Sequence, residues 1–222
     1  MEFGKYFSIA KNEVKQAIVD NKRLIIVMAV LFIVSLILSW IFHAQILGNF
    51  TSNSHTSATQ VSKPAAMNPA LDIFIHNEFA GIQTYFSSIF FGISAFFSVI
   101  FNGVLLGAIG GDVNGGNIVY AVAMFLALVV PHGIFEIPAF ILESVAGVLL
   151  FLFIFRFFKT IYSTKDISTF KLKAKNSWEV NKVYLKQSIV LMLFCLVLLI
   201  FAAIMEANVT PHVGDFVQSF LK

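Results

Sequence analysis

Between Lys63 and Arg156 the chain runs through 92 residues without a single lysine or arginine. A surface facing water needs interspersed charge, whereas a charge at the centre of a bilayer costs about 2.5–3.5 kcal/mol on insertion scales. A stretch this long and this free of cations therefore selects lipid as its solvent. Within its last third lies Pro131-His132-Gly133-Ile134-Phe135-Glu136-Ile137-Pro138, a carboxylate bracketed by two prolines.

Composition agrees. Of 222 residues, 58% are hydrophobic and 12% charged, about half the charged share of an ordinary soluble domain. The formal net charge of +3 does not imply nucleic acid, because the cations sit beside apolar runs and read as topology signals. The lone cysteine, Cys195, excludes an intrachain disulfide.

Apolar runs and punctuation predict an all-α, polytopic membrane protein with about five transmembrane helices and a Pro-broken helix or re-entrant segment near 131–138. Residues 1–23 form an amphipathic helix on the cytoplasmic side, and 24–42 the first span. The run is too long, and its end too poor a cleavage context, for a signal peptide. Residues 43–77 form an extracytoplasmic polar loop, with a Ser/Thr/Asn/Gln-rich tract at 51–62. Residues 78–110 form the second span. The run at 117–157 is too long for one crossing, and proline removes a backbone donor, so it divides into a third and a fourth span. A basic cytoplasmic segment at 158–187 precedes the fifth span at 188–206, and 207–222 form an amphipathic extracytoplasmic helix. Of the 15 cations, 13 fall in the two basic segments. Positive residues favour the cytoplasm, so an even number of passes must separate those segments, placing the N-terminus inside and the C-terminus outside.

Phe3, Phe7, Ala10, Val14 and Ile18 make an apolar stripe suited to the inner membrane surface. Thr210 and Pro211 can start a C-terminal helix carrying Val213, Phe216, Val217, Phe220 and Leu221 on one face. Asn49-Phe50-Thr51 and Asn208-Val209-Thr210 fit the glycosylation triplet, a pattern common by chance, and Pro211 disfavours the second.

Gly103, Gly107 and Gly111 recur every four residues, a face onto which another helix packs closely, within the chain or in a dimer. Gly147 adds a small residue near Glu136 and Glu143, which are two turns apart and share a helix face. Glu136 has two readings. At the start of a new helix after the proline break it caps free amides, with His132 or Asn102 completing its hydrogen bonds. Alternatively it is a proton or cation site at a broken helix, as in transporters. Glu136, His132, Asn102 and Glu143 are thus the candidate polar site. His132 and Glu136 have the i, i+4 spacing of a metal pair, but Pro131 and Gly133 argue against a continuous helix and no third ligand is evident, so no metal or other cofactor is expected.

Several landmarks, in order, resemble the stage II sporulation protein M family of integral membrane proteins: His76-Asn77 before Gly92, Asn102-Gly103 with Gly107, the string His132-Gly133-x-x-Glu136-x-Pro138-Ala139 with Gly147, and Ala202-Ala203-Ile204-Met205-Glu206 with Pro211. The resemblance spans most of the chain. It implies a scaffold without its own catalytic centre, since the family's namesake anchors cell-wall hydrolases and assists membrane migration during engulfment. Some relatives resemble components encoded beside transport systems.

Walker-type, paired-metal and activated-nucleophile patterns are missing, so an enzyme is the weakest reading. The sequence favours a non-enzymatic scaffold or accessory subunit in the cell membrane, as a homo-oligomer, with a membrane or extracytoplasmic protein as partner and no nucleic acid. An oligomeric transporter or channel using Glu136 and His132 is the alternative.

Overall fold

The computed structural model describes residues 2–53, 68–112, 118–165, 167 and 169–221, the side chains of 2, 3 and 49–53 excepted. Residues 54–62 of the tract at 51–62, Lys63, Lys222 and the side chains of Asn49 and Phe3 thus lie outside the described residues. Every element among the described residues is a helix: α1 (Glu2–Asp20), α2 (Lys22–Ile41), α3 (His43–Asn53), α4 (Pro69–Ser87), α5 (Ile93–Asp112), α6 (Ile118–Ser163), α7 (Phe170–Asn208) and α8 (Thr210–Leu221). Four of them, α2, α5, α6 and α7, are long and apolar enough to cross a membrane. The protein is an all-α, multi-pass membrane protein.

The largest departure from the sequence reading is α6. It is one unbroken helix of 46 residues with Pro131 and Pro138 inside it, so the predicted pair at 117–157 does not form. Each proline withdraws one ladder hydrogen bond, yet an irregular break in lipid would leave several polar backbone groups without partners. Continuity is the lesser penalty. The real interruption lies within the predicted span at 78–110. The chain reverses at 88–92, where Phe91 and Gly92 both adopt positive φ (65° and 67°), and the span becomes two antiparallel helices, α4 and α5. The predicted loop at 43–77 is also shorter than expected. It holds α3, and α4 begins at Pro69, capped by Asn68, whose side chain accepts the Leu71 amide at 3.2 Å. At the other end of the chain the basic segment from Phe170 and the last span are one helix, α7.

Contacts fix the relative directions. Gly103 and Gly107 of α5 face Phe32, Ser35, Leu36 and Ser39 of α2, and Gly111 faces His43 at the start of α3, so α2 and α5 run parallel. A Cβ at Gly103 would lie 2.6 Å from the Phe32 carbonyl oxygen, which explains why small residues occupy this seam. Helices α6 and α7 form an antiparallel hairpin. Ser177 donates to the Phe157 carbonyl (2.6 Å), Ser188 to that of Ala146 (2.7 Å) and Cys195 to that of Ala139 (3.4 Å). Gly147 admits Ser88, and Gly81 admits the Glu143 carboxylate, which sets α4 parallel to α6. Five helices, α2, α4, α5, α6 and α7, therefore run between two ends of the bundle.

The core centres on α6, whose residues 141–150 are all buried. Val145, Ala146, Leu149, Leu191, Cys195 and Leu199 form its most enclosed part. All 13 described lysines and arginines lie at one end, on α1, the start of α2, the far end of α6, the turn after it (Lys165) and the first half of α7. There Lys186 pairs with Glu13 at 2.6 Å, and Gln187 donates to Asp20 at 2.7 Å, clipping α1 to α7. The stripe of α1 (Phe7, Ala10, Val14, Ile18) faces Val190, Leu193, Phe194 and Val197 of α7 across an apolar groove. Helix α8 docks on α6 through Thr210 and Gly214, leaving Phe216 and Phe220 exposed.

Candidate functional site

A polar cavity of about 260 Å³ opens between α4, α5 and α6, in a part of the bundle otherwise built from apolar side chains. Its polar lining is His76, Asn77, Thr84, Ser98, Asn102, His132, Glu136, Glu143 and Ser144, with no lysine or arginine among the lining residues. A space of this size, lined by these polar groups, has room for several waters.

Glu136 sits on the α6 face towards α4. Its Oε1 accepts a hydrogen bond from Asn77 Nδ2 at 2.8 Å, and its Oε2 lies 3.4 Å from His132 Nε2, one turn earlier on α6. The capping role expected for Glu136 does not hold: α6 is continuous through this point, so Glu136 occupies a helix interior with no free amides beneath it. The expected bond from Asn102 is not made either. Asn102 lines the same cavity, but its Nδ2 donates to the Ser98 carbonyl at 2.9 Å, within α5. Asn77 takes that place. The His76-Asn77 pair was visible in the family-like pattern, and only its pairing with Glu136 needed the structure.

Glu143 lies two turns further along α6. It is 2% exposed and lines the same cavity, and its Oε1 has no hydrogen-bond partner. Glu78 of α4, 9% exposed, likewise has an unpartnered Oε2. Sequence reasoning passed over Glu78 because it counted residue 78 as the rim of a span and not as part of a buried helix. Towards the basic end the lining gives way to close packing. Tyr85 Oη donates to Ser188 Oγ at 2.9 Å, Ser188 donates onward to Ala146, and Gly147 rests against Ser88.

At the opposite end, Glu206 of α7 completes a cluster with His132 and Glu136, whose candidate donor atoms all lie within 4.8 Å of one another. His132 Nδ1 is 3.1 Å from Thr210 Oγ1, and Thr210 in turn donates to the Met205 carbonyl at 3.3 Å. Thr210 is therefore not a free helix cap; its hydroxyl ties the start of α8 to α6. Two grounds for setting aside a metal at His132 and Glu136 thus fall away: the helix is continuous, and a third acidic group is present. Gly103, Gly107, Gly111 and Gly147 lie outside this constellation and serve helix contact.

Comparison with known proteins gives one result. A family model described as Stage II sporulation protein M matches residues 28–211, from the first apolar helix to the start of the last. No curated protein and no solved structure matches the chain.

Proposed function

The chain belongs to the stage II sporulation protein M family of integral membrane proteins, and from that premise we propose that it is a non-enzymatic scaffold or accessory subunit of the cell membrane. It works as a homo-oligomer that organises partner proteins or shapes the bilayer. Both basic segments and the N-terminus face the cytoplasm, and the C-terminus faces outward.

The observation that carries this reading is the reach of the α6–α7 hairpin at the basic end. Helix α2 begins at Lys22, level with Asn21 and Gln187, which are joined at 2.9 Å. Beyond that level α7 continues back to Phe170 and α6 on to Ser163, an arm of about 25 Å at 1.5 Å per residue. Its two helices are fastened by Ser177 on Phe157, Asn181 on Thr160, and the Phe153–Trp178 ring contact. Its surface carries Lys171, Lys173 and Lys175 beside exposed Phe170, Tyr162 and Val180. A stiff, cationic, aromatic-bearing arm suits recruitment of an acidic protein surface beside the membrane.

Affinity purification after cross-linking in native membranes tests this. Wild type should recover a reproducible partner exposed at the cytoplasmic face of the membrane, and replacing Lys171, Lys173 and Lys175 together by glutamate should remove it while leaving oligomer size unchanged. An identical partner set from both proteins would overturn the role given to the arm.

The carboxylate-lined cavity favours a second reading, an oligomeric transporter or channel working through Glu136 and His132. Against it stands the close packing at Tyr85, Ser188 and Gly147 between the cavity and the basic end. Ion or proton flux in proteoliposomes that disappears in Glu136→Gln, with the fold intact, would replace the scaffold reading by this one.

A further inference from the structure

We propose that His132, Glu136 and Glu206 bind a divalent first-row transition-metal ion where α6, α7 and α8 meet, at the outer mouth of the polar cavity. The inference is independent of whether the protein is a scaffold or a transporter.

The argument starts from the histidine. Thr210 Oγ1 gives its proton to the Met205 carbonyl, so towards His132 it accepts, and the imidazole proton belongs on Nδ1. That leaves the Nε2 lone pair directed at Glu136 Oε2, 3.4 Å away, with a Glu206 oxygen within 4.8 Å of both. Three acceptors then converge with no donor between them, an arrangement that a shared cation stabilises. Asn77 holds the other oxygen of Glu136, and Thr210 holds the other nitrogen of His132. This is the outer support that orients metal ligands elsewhere: each ligand's second atom is tied down so that its first points inward.

Geometry and charge agree. Bonds of about 2.0–2.1 Å in a tetrahedral site place neighbouring donor atoms about 3.3 Å apart, close to the His132–Glu136 separation. Glu206 closes the set by a side-chain rotation. One neutral imidazole and two carboxylates carry a charge of −2, which a divalent ion balances, and the lysines and arginines described lie at the far end of the bundle. A separate observation points the same way: Glu143, 2% exposed with an unpartnered Oε1, lines the same cavity, so a further acidic side chain near the cluster goes without a cation among the described residues. The imidazole ligand and the tetrahedral spacing favour Zn²⁺ over Mn²⁺, Mg²⁺ and Ca²⁺, and three protein ligands leave a position for water.

The test uses the full chain purified in detergent, stripped with chelator and titrated with Zn²⁺, Mn²⁺ and Mg²⁺ by calorimetry and by elemental analysis after dialysis. One Zn²⁺ per chain is expected, bound more tightly than Mn²⁺ and without competition from Mg²⁺. Glu206→Gln should weaken binding at least tenfold, Glu206→His should retain it, and His212→Ala, outside the cluster, should leave it unchanged. Failure of the wild type to hold any of the three ions stoichiometrically would mean that only a proton sits there, and the proposal falls. Binding indifferent to Glu206→Gln overturns it equally. Should the variants not fold, X-ray absorption of Co²⁺-loaded wild type decides: one imidazole among oxygen ligands supports the site, and no imidazole sinks it.

Discussion

Gly107 and Asn102 sit about one turn apart on α5 and show how far single residues could be read. A Cβ at Gly107 would run into the backbone carbonyl of Leu36, which cannot swing aside as a side-chain tip can. Gly107→Ala should therefore push α2 and α5 apart and destabilise the fold by about 1–3 kcal/mol, the usual range for overpacking. Gly4→Ala, with nothing within 4 Å, should be neutral or slightly stabilising. Reversible unfolding in mixed micelles measures both, and equal effects would remove the close seam from the account. The four-residue glycine spacing made that seam legible. Asn102 was legible as a polar residue in an apolar helix, but not its partner: an asparagine side chain satisfies itself on its own helix as easily as across a gap, and here Ser98 wins over Glu136. Glu136 needed Asn77, a residue 59 positions earlier, which no local pattern supplies.

At the scale of elements the sequence marked a break in the wrong place for a physical reason. Proline inside a helix costs about 3 kcal/mol in water, where the freed backbone can simply meet solvent elsewhere in the chain. Within a bilayer the broken alternative exposes polar backbone to hydrocarbon, so α6 absorbs Pro131 and Pro138 and continues. The true reversal, at Phe91–Gly92, carries no proline and lies in a run of phenylalanines, where only one glycine hints at positive φ. Pro131→Ala should then be tolerated, with the melting temperature in detergent unchanged or raised. Gly92→Ala should lower it by about 1–2 kcal/mol equivalent, since its φ of 67° is unfavourable to any side chain and ordinary contacts with Phe151 offer no relief. The opposite ranking would restore the break to 131–138. The helix start at Asn68-Pro69, by contrast, had a readable signature in its capping residue and first-turn proline.

For the whole molecule, charge constrains the arrangement more than hydropathy can. Hydropathy selects four helices and misses α4, because Asp72, His76, Asn77 and Glu78 lower its score, although Asn77 pairs with Glu136 and Glu78 is buried inside the bundle. Charge requires only that an even number of passes separate the two basic segments, and α2, α4, α5 and α6 make four. If each of them crosses the bilayer, that parity is kept although two predicted spans are one helix and another is two. Cysteine labelling in intact and permeabilised cells tests the arrangement, in a Cys195→Ser background that removes the buried native thiol. Probes at Lys15→Cys and Lys173→Cys should react only from the cytoplasm, and one at Ser219→Cys only from outside. The most informative probe is Phe90→Cys, at the α4–α5 reversal, where the phenylalanine is 74% exposed. Reaction from the cytoplasmic side makes α4 and α5 two full passes. Reaction from outside alone would turn them into a hairpin that never leaves the outer half, and would place Ser88, Gly147 and the floor of the cavity much nearer the outer surface than five passes allow.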